Sequence, residues 1–91
     1  TNMPTEMALE PAYPNPFNPS TNLSYTLAEE GVITLSIYDI NGRLIENIVD
    51  SYQNAGSYNV VWDASTFSSG IYFVMLSTNS NMLTQKIMLV K

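Results

Sequence analysis

Apolar and polar residues alternate along most of this 91-residue chain, and the alternation breaks at turn-forming residues. Alternation over four to eight residues marks a strand with one buried face. In LSYTL, 23–27, Leu23, Tyr25 and Leu27 share a face. In VITLSIYDI, 32–40, Ile33, Leu35 and Ile37 share one face and Thr34, Ser36 and Tyr38 the other. Asn41-Gly42 follows at once. Between two β-prone runs this dipeptide predicts a tight hairpin, with both residues at positive φ. The returning run RLIENIV, 43–49, does not alternate cleanly, which predicts a bulge or partial edge exposure. SYNVVWD, 57–63, puts Tyr58, Val60 and Trp62 together, and IYFVMLS, 71–77, is apolar on both faces and reads as a central strand. MLTQKIMLV, 82–90, sets Leu83, Ile87 and Leu89 against Met82, Thr84, Lys86, Met88 and Val90.

The connections are Glu29-Glu30-Gly31, DSYQNAG at 50–56, ASTFSSG at 64–70 with Phe67 as a plug, and NSN at 79–81. No segment has a convincing helical period. Six strands, with a short edge piece from LEPAY at 9–13, predict an all-β chain. The expected fold is an immunoglobulin-like antiparallel β-sandwich of about seven strands. Residues 1–8, TNMPTEMA, read as linker or expression scar and 9–91 as one folded domain.

One stretch does not belong to this rhythm. YPNPFNPS, 13–20, has three prolines in eight positions, two of them after asparagine. A residue before proline is pushed to extended geometry, so Tyr13, Asn15 and Asn18 are biased to β or polyproline II. The segment is stiff before folding and loses less entropy on ordering. Asparagine side chains can bond the backbone locally where ladder bonds are missing. The expected role is a rigid loop covering a sheet edge, with Phe17 anchored on the core.

Composition narrows the function. The net charge is −5, and the basic residues are Arg43, Lys86 and Lys91 alone. Nothing here can track a phosphate backbone, so no nucleic-acid partner is expected. Nor is there a basic amphipathic helix for an anionic membrane. The chain has no cysteine and no histidine, which removes disulfides, thiolate sites and the commonest general base and metal ligand. The acidic residues fall mostly in predicted turns or on outward faces, where solvation is their expected state. DINGRLIENIVD, 39–50, fits a calcium loop at Asp39 and Asn41, but Arg43 and Leu44 stand where an oxygen ligand and a glycine are needed. No catalytic residues, cofactor, metal or small-molecule substrate are expected. Tyr38, Tyr52 and Tyr72 can face outward from separate strands or loops, whereas Trp62 reads as core.

Taken in order, the motifs are YPNPFNPST at 13–21, SIYDINGRLI at 36–45, AGSYNVVWDAS at 55–65, SSGIYFVML at 68–76 and TQKIMLVK at 84–91. Together they resemble the C-terminal sorting domain of proteins exported by the type IX secretion system (Por secretion system) of the Bacteroidetes lineage, in its type A form. The resemblance covers about residues 9–91. It implies a non-catalytic address on a larger secreted protein, with the cargo fused on the N-terminal side. Outer-membrane export machinery reads the address after passage through the periplasm. A sortase-like surface peptidase removes the domain, and the cargo is left at the cell surface or in the medium. Carried over by position, the recognition motif is Pro14, Asn15, Pro16, Phe17, Asn18 and Pro19, then Gly42 and Arg43, then Gly70, Tyr72 and Phe73, then Lys86 and Lys91. The alternatives are an immunoglobulin-like structural or adhesive accessory module and a carbohydrate-binding module of a secreted hydrolase.

Overall fold

The structure is a computed structural model that describes residues 7–79 and 81–91. Residues 1–6 of the expected linker lie outside the described residues, as does Ser80 of the NSN turn. Seven strands form: β1 (Ala8–Leu9), β2 (Ser20–Leu27), β3 (Gly31–Asp39), β4 (Leu44–Gln53), β5 (Gly56–Asp63), β6 (Gly70–Ser77) and β7 (Met82–Leu89). They make a three-stranded sheet in the order β1-β2-β5 and a four-stranded sheet in the order β4-β3-β6-β7, with every pairing antiparallel. This is the expected all-β sandwich. β1 is two residues long and starts at Ala8, which pairs with Thr26, while Met7 packs against the core. The ladder resumes at the isolated Tyr13–Asn22 bridge.

The inward faces follow the period-two reading. Leu23, Tyr25, Leu27 and Trp62 come from one sheet, and Ile33, Leu35, Ile37, Val74, Leu76, Ile87 and Leu89 from the other. All are buried between the sheets, where removal of apolar area from water is the main stabilising term. Tyr25 brings a hydroxyl into this layer and donates it to Gln53 Oε1 at 2.7 Å, so the polar group is not left unpaired. β6 lies between β3 and β7, as its two apolar faces predict.

Three connections differ from expectation. β4 runs on to Gln53, through residues read as a loop, because an edge strand tolerates polar side chains and its ladder with residues 31–34 of β3 continues. β4 carries two register shifts rather than one, opposite Leu35/Ser36 and Ile37/Tyr38. The residues they insert are Ile48 and Ile45, and both pack against the core. Two isoleucines at odd spacing cannot share one face of a regular strand, and each bulge supplies the extra residue that turns one inward. In the β3–β4 hairpin only Gly42 has positive φ, at 83°, and Asn41 does not. The Asp39 N–H donates to Arg43 O, and the Gly42 N–H to Asp39 O. Asp39 Oδ1 accepts from the N–H groups of Asn41 and Arg43, at 2.9 and 3.0 Å. A carboxylate that satisfies the turn donors removes the need for a second left-handed residue.

Two outcomes follow. Gly42→Ala should destabilise the domain by about 1–3 kcal/mol through backbone strain alone, since nothing lies within 4 Å of an added Cβ. Urea unfolding would read this as a lower midpoint at unchanged slope. Burial raises the pKa of Tyr25 above its ordinary 10.0, reinforced weakly by Tyr58. The fold therefore favours the neutral phenol. That stability is fully present below pH 10 and is lost as pH rises through the higher folded value. Urea midpoints between pH 8 and 11 should fall less steeply for Tyr25→Phe than for the unsubstituted protein.

Candidate recognition surface

The strand register sorts the motif residues in space. Turns 28–30 and 54–55 and residues 78, 79 and 81 lie at one end of the sandwich, with Met7 beside the first and last of these. At the other end lie turn 40–43, loop 64–69 and residues 90–91. Asp39 is paired with Tyr72, Gly70 with Leu89 and Ser20 with Asp63, so these connections share that end. Gly42, Arg43, Gly70, Tyr72 and Lys91 are thus gathered at the end opposite the upstream chain.

The proline-rich segment reaches the same end along the outer edge of β7. Its bonds are those of a broken extra strand. The Phe17 N–H donates to Met88 O and the Val90 N–H to Phe17 O, both at 2.9 Å, which makes a parallel bridge between Phe17 and Leu89. One step earlier a side chain replaces the backbone. Asn15 Nδ2 donates to Lys86 O at 3.3 Å, and the Met88 N–H donates to Asn15 Oδ1 at 3.1 Å. Asparagine thus stands in for a peptide group where the prolines flanking it, Pro14 and Pro16, have no N–H to give. The expected edge cover is present, but the Asn15 bonds are non-local rather than local. Thr21 Oγ1 donates to Pro14 O at 2.7 Å and the Ala64 N–H to Pro19 O at 2.9 Å, which ties the segment to the other sheet.

Phe17 is buried and packs on Trp62, with ring centroids 5.7 Å apart. Trp62 also meets Phe67 at 5.7 Å and, edge-on, Tyr72 at 5.7 Å. The Trp62 Nε1–H donates to Glu46 Oε1 at 3.0 Å, so the indole keeps a polar partner. Tyr72 is buried, against the expectation that it faces outward. Its place on the inward face of β6 completes this cluster, and its hydroxyl donates to Ser68 O at 2.6 Å. Of the three tyrosines expected to be able to face outward, one is therefore core. Phe67 is the expected plug, half-buried over Trp62.

The motif therefore divides physically. Phe17 and Tyr72 are interior, whereas Pro14, Asn15, Pro16, Asn18, Pro19, Gly42, Arg43, Gly70, Lys86 and Lys91 are exposed. Phe73 is half-buried on the outer side of β6, paired with Lys86 of β7 and Tyr38 of β3. Lys91 is docked, its Nζ donating to Ser65 O at 2.8 Å and its N–H to Ser69 Oγ at 3.0 Å. Arg43, Lys86 and Lys91 all sit toward this end, while Glu29 and Glu30 occupy the opposite turn. Gln85 was missed by sequence reasoning. Its side-chain amide donates to Glu10 O at 2.6 Å and accepts from the Ala12 N–H at 2.9 Å. A polar residue at an inward position between Leu83 and Ile87 was the available signal.

The family model for the secretion system C-terminal sorting domain matches residues 11–91. No curated protein matches the chain. Two solved structures from Porphyromonas gingivalis are similar to it. PorZ, an essential surface component of that organism's type IX secretion system, aligns at 18% identity and TM-score 0.64, over 91% of this chain and 11% of its own. Dimeric latent PorU aligns at 18% identity and TM-score 0.63, over 92% and 9%. At that identity the likeness is one of fold, and the chain spans about a tenth of either protein.

Asn15→Ala should remove both side-chain bonds to β7 while leaving Phe17 seated. The expected loss is about 1–3 kcal/mol, from two hydrogen bonds of ~0.5–1.5 kcal/mol each. Hydrogen exchange should localise the change, with the Met88 amide losing more protection than the core amides of β3.

Proposed function

Since the chain belongs to the secretion system C-terminal sorting domain family, we propose that its exposed motif residues are the address read during type IX export of a cargo fused upstream. The cargo passes through the periplasm, the outer-membrane export machinery reads the domain, and a sortase-like surface peptidase cleaves upstream of it. The cargo then reaches the cell surface or the medium. The domain itself does no chemistry in this reading. It folds, holds a fixed surface toward its reader and needs no cofactor.

One observation carries the proposal. The exposed members of the motif, with all three cations of the chain, gather at or lead toward the end of the sandwich away from Met7. A cargo joined upstream leaves that end free. The buried members, Phe17 and Tyr72, hold the surface in shape from beneath. An adhesive or accessory module has no need of such polarity.

The test is a fusion of the whole chain behind a periplasmic reporter, expressed in a host with type IX machinery. The reporter should appear outside the cell. The same domain moved to the reporter's N-terminus should leave it in the periplasm, which separates a sorting domain from an accessory module. A C-terminal fusion that is well folded yet stays in the periplasm would overturn the proposal.

A further inference from the structure

Each sheet has two edge strands, and an open edge offers its N–H and C=O groups to any strand that fits. Three of the four edges carry a device against this. β7 is closed by the segment around Phe17. β1 is two residues long and is followed by Pro11 and Pro14. β4 has two register shifts and the charged Glu46 and Asp50. The fourth edge, β5, has none of these. Gly56–Asp63 pairs with β2 residue for residue without a bulge, and holds no proline, no lysine and one charge, at Asp63. Tyr58 and Val60 face inward yet are only half-buried, so among the described residues nothing covers this side. On the outward side of β5, Val61 stands 62% exposed, an apolar residue between Asn59 and Asp63.

The ladder fixes which peptide groups are free. The Glu10 N–H donates to Ser24 O and the Asn22 N–H to Tyr13 O, so Asn22 and Ser24 turn toward β1 and its extension. Thr21, Leu23, Tyr25 and Leu27 therefore turn toward β5, where they meet Trp62, Val60, Tyr58 and Gly56. Ser57, Asn59, Val61 and Asp63 are left with N–H and C=O pointing away from the sheet. A second antiparallel β5 can bond them only in registers that pair these odd-numbered residues with one another. Centring on Asn59 sets Val61 against Ser57, and the next register sets it against Asn59. Centring on Val61 sets it against Val61 of the other copy and Asp63 against Asn59. That last register alone gives the exposed valine an apolar, β-branched partner. It also gives the strand's one charge a donor. The Asn59 amide spends one N–H on Ser24 Oγ and Asp63 spends Oδ1 on the Ser65 N–H, which leaves an N–H and Oδ2 for each other.

We propose that β5 pairs antiparallel with β5 of a second copy of this chain, about a two-fold axis through the Val61 pair and normal to the sheet. The two three-stranded sheets then join into one, in the order β1-β2-β5-β5-β2-β1. Val61 of each copy exchanges both backbone bonds with its counterpart, and Asn59 of each does so with Asp63 of the other, about six bonds in all. On the inward side, Val60 of each copy comes opposite Trp62 of the other, which covers apolar surface that the single copy leaves half-open. A two-fold contact needs only one self-complementary strand, and the match of Val61 to itself and of Asp63 to Asn59 supplies it. Antiparallel pairing sends the upstream ends in opposite directions, so fused cargo does not obstruct the contact. One strand edge is a small interface, and each copy carries a net charge of −5. The dimer is accordingly weak, with a Kd of about 100 µM.

Sedimentation equilibrium of the whole chain between about 10 µM and 1 mM tests this. A reversible monomer–dimer equilibrium is expected, strengthened by salt, which screens the repulsion between two acidic copies. Val61→Lys, which sets two ammonium groups together at the axis, should weaken association by about tenfold or more, while Val61→Ile should keep it. Both side chains lie on the solvent side, and an unchanged melting temperature confirms that the fold is intact. The chain has no cysteine, so a single introduced thiol reports the register. Two Val61→Cys copies bring their Cα atoms to about 5.5 Å and should form a disulfide-linked dimer under mild oxidation. Asn22→Cys is exposed on the same face and in register with Val61, but one strand further in, and should not. The proposal is overturned if the unsubstituted chain is monomeric at about 1 mM, if folded Val61→Lys dimerises as well as it does, or if Asn22→Cys cross-links as fast as Val61→Cys. It is also overturned if the unsubstituted chain is monomeric and folded Val61→Lys loses export of a fused reporter, because the edge then serves an export partner. Loss of the dimer in folded Val61→Lys supports it whether or not a fused reporter still leaves the cell, so this inference and the functional one fail separately.

Discussion

The sandwich depends on how the outer edge of β7 is closed. An exposed edge strand offers unpaired N–H and C=O groups to any passing chain. Here the segment around Phe17 closes it, with backbone bonds to residues 88 and 90 and the Asn15 side chain serving residues 86 and 88. Proline is suited to the task because it brings no outward N–H of its own. A chain that needs three prolines for stiffness must find another donor to complete the ladder, and asparagine supplies it. Thr21 and Ala64 then fasten the same segment to the opposite sheet. One stretch without regular structure thereby links the first part of the chain to the last across both layers.

Because β7 is held from both sides, the last strand contributes to the fold as well as to the motif. Leu89 and Ile87 are core residues, and Lys86 and Lys91 are on the surface of the same strand or just beyond it. A truncation that removes the surface also removes the core, so loss of export after truncation does not by itself identify a recognition element. Trp62 has a comparable double position. Its ring is the centre on which Phe17, Phe67 and Tyr72 converge, and those three residues carry the proline segment, loop 64–69 and β6. The shape of the exposed surface is therefore set by a buried aromatic cluster.

The charge distribution adds a direction to the molecule. Three cations in an acidic chain are few, yet all three lie toward one end. The ends thus differ in kind. One receives the upstream chain and carries Glu29 and Glu30, and the other carries the motif.

Period-two alternation in the sequence determined the strands and their inward faces, since the side-chain period of a strand is a local property. It marked Leu23, Tyr25 and Leu27, or Ile33, Leu35 and Ile37, without knowledge of any neighbour. Proline chemistry likewise marked 13–20 as extended. What local pattern did not decide was partnership. Asn15 bonds residues 71 and 73 positions away, Gln85 reaches back to Glu10 and Ala12, and Tyr72 faces inward to meet Trp62. β4 persists through DSYQ because β3 lies beside it, and its bulges arise where odd apolar spacing meets a fixed partner register. The gathering of distant motif residues at one end, and the mixture of polar and apolar side chains left open to solvent on the outer sheet face, exist only once two sheets have stacked. They depend on long-range register, which no single stretch of chain encodes.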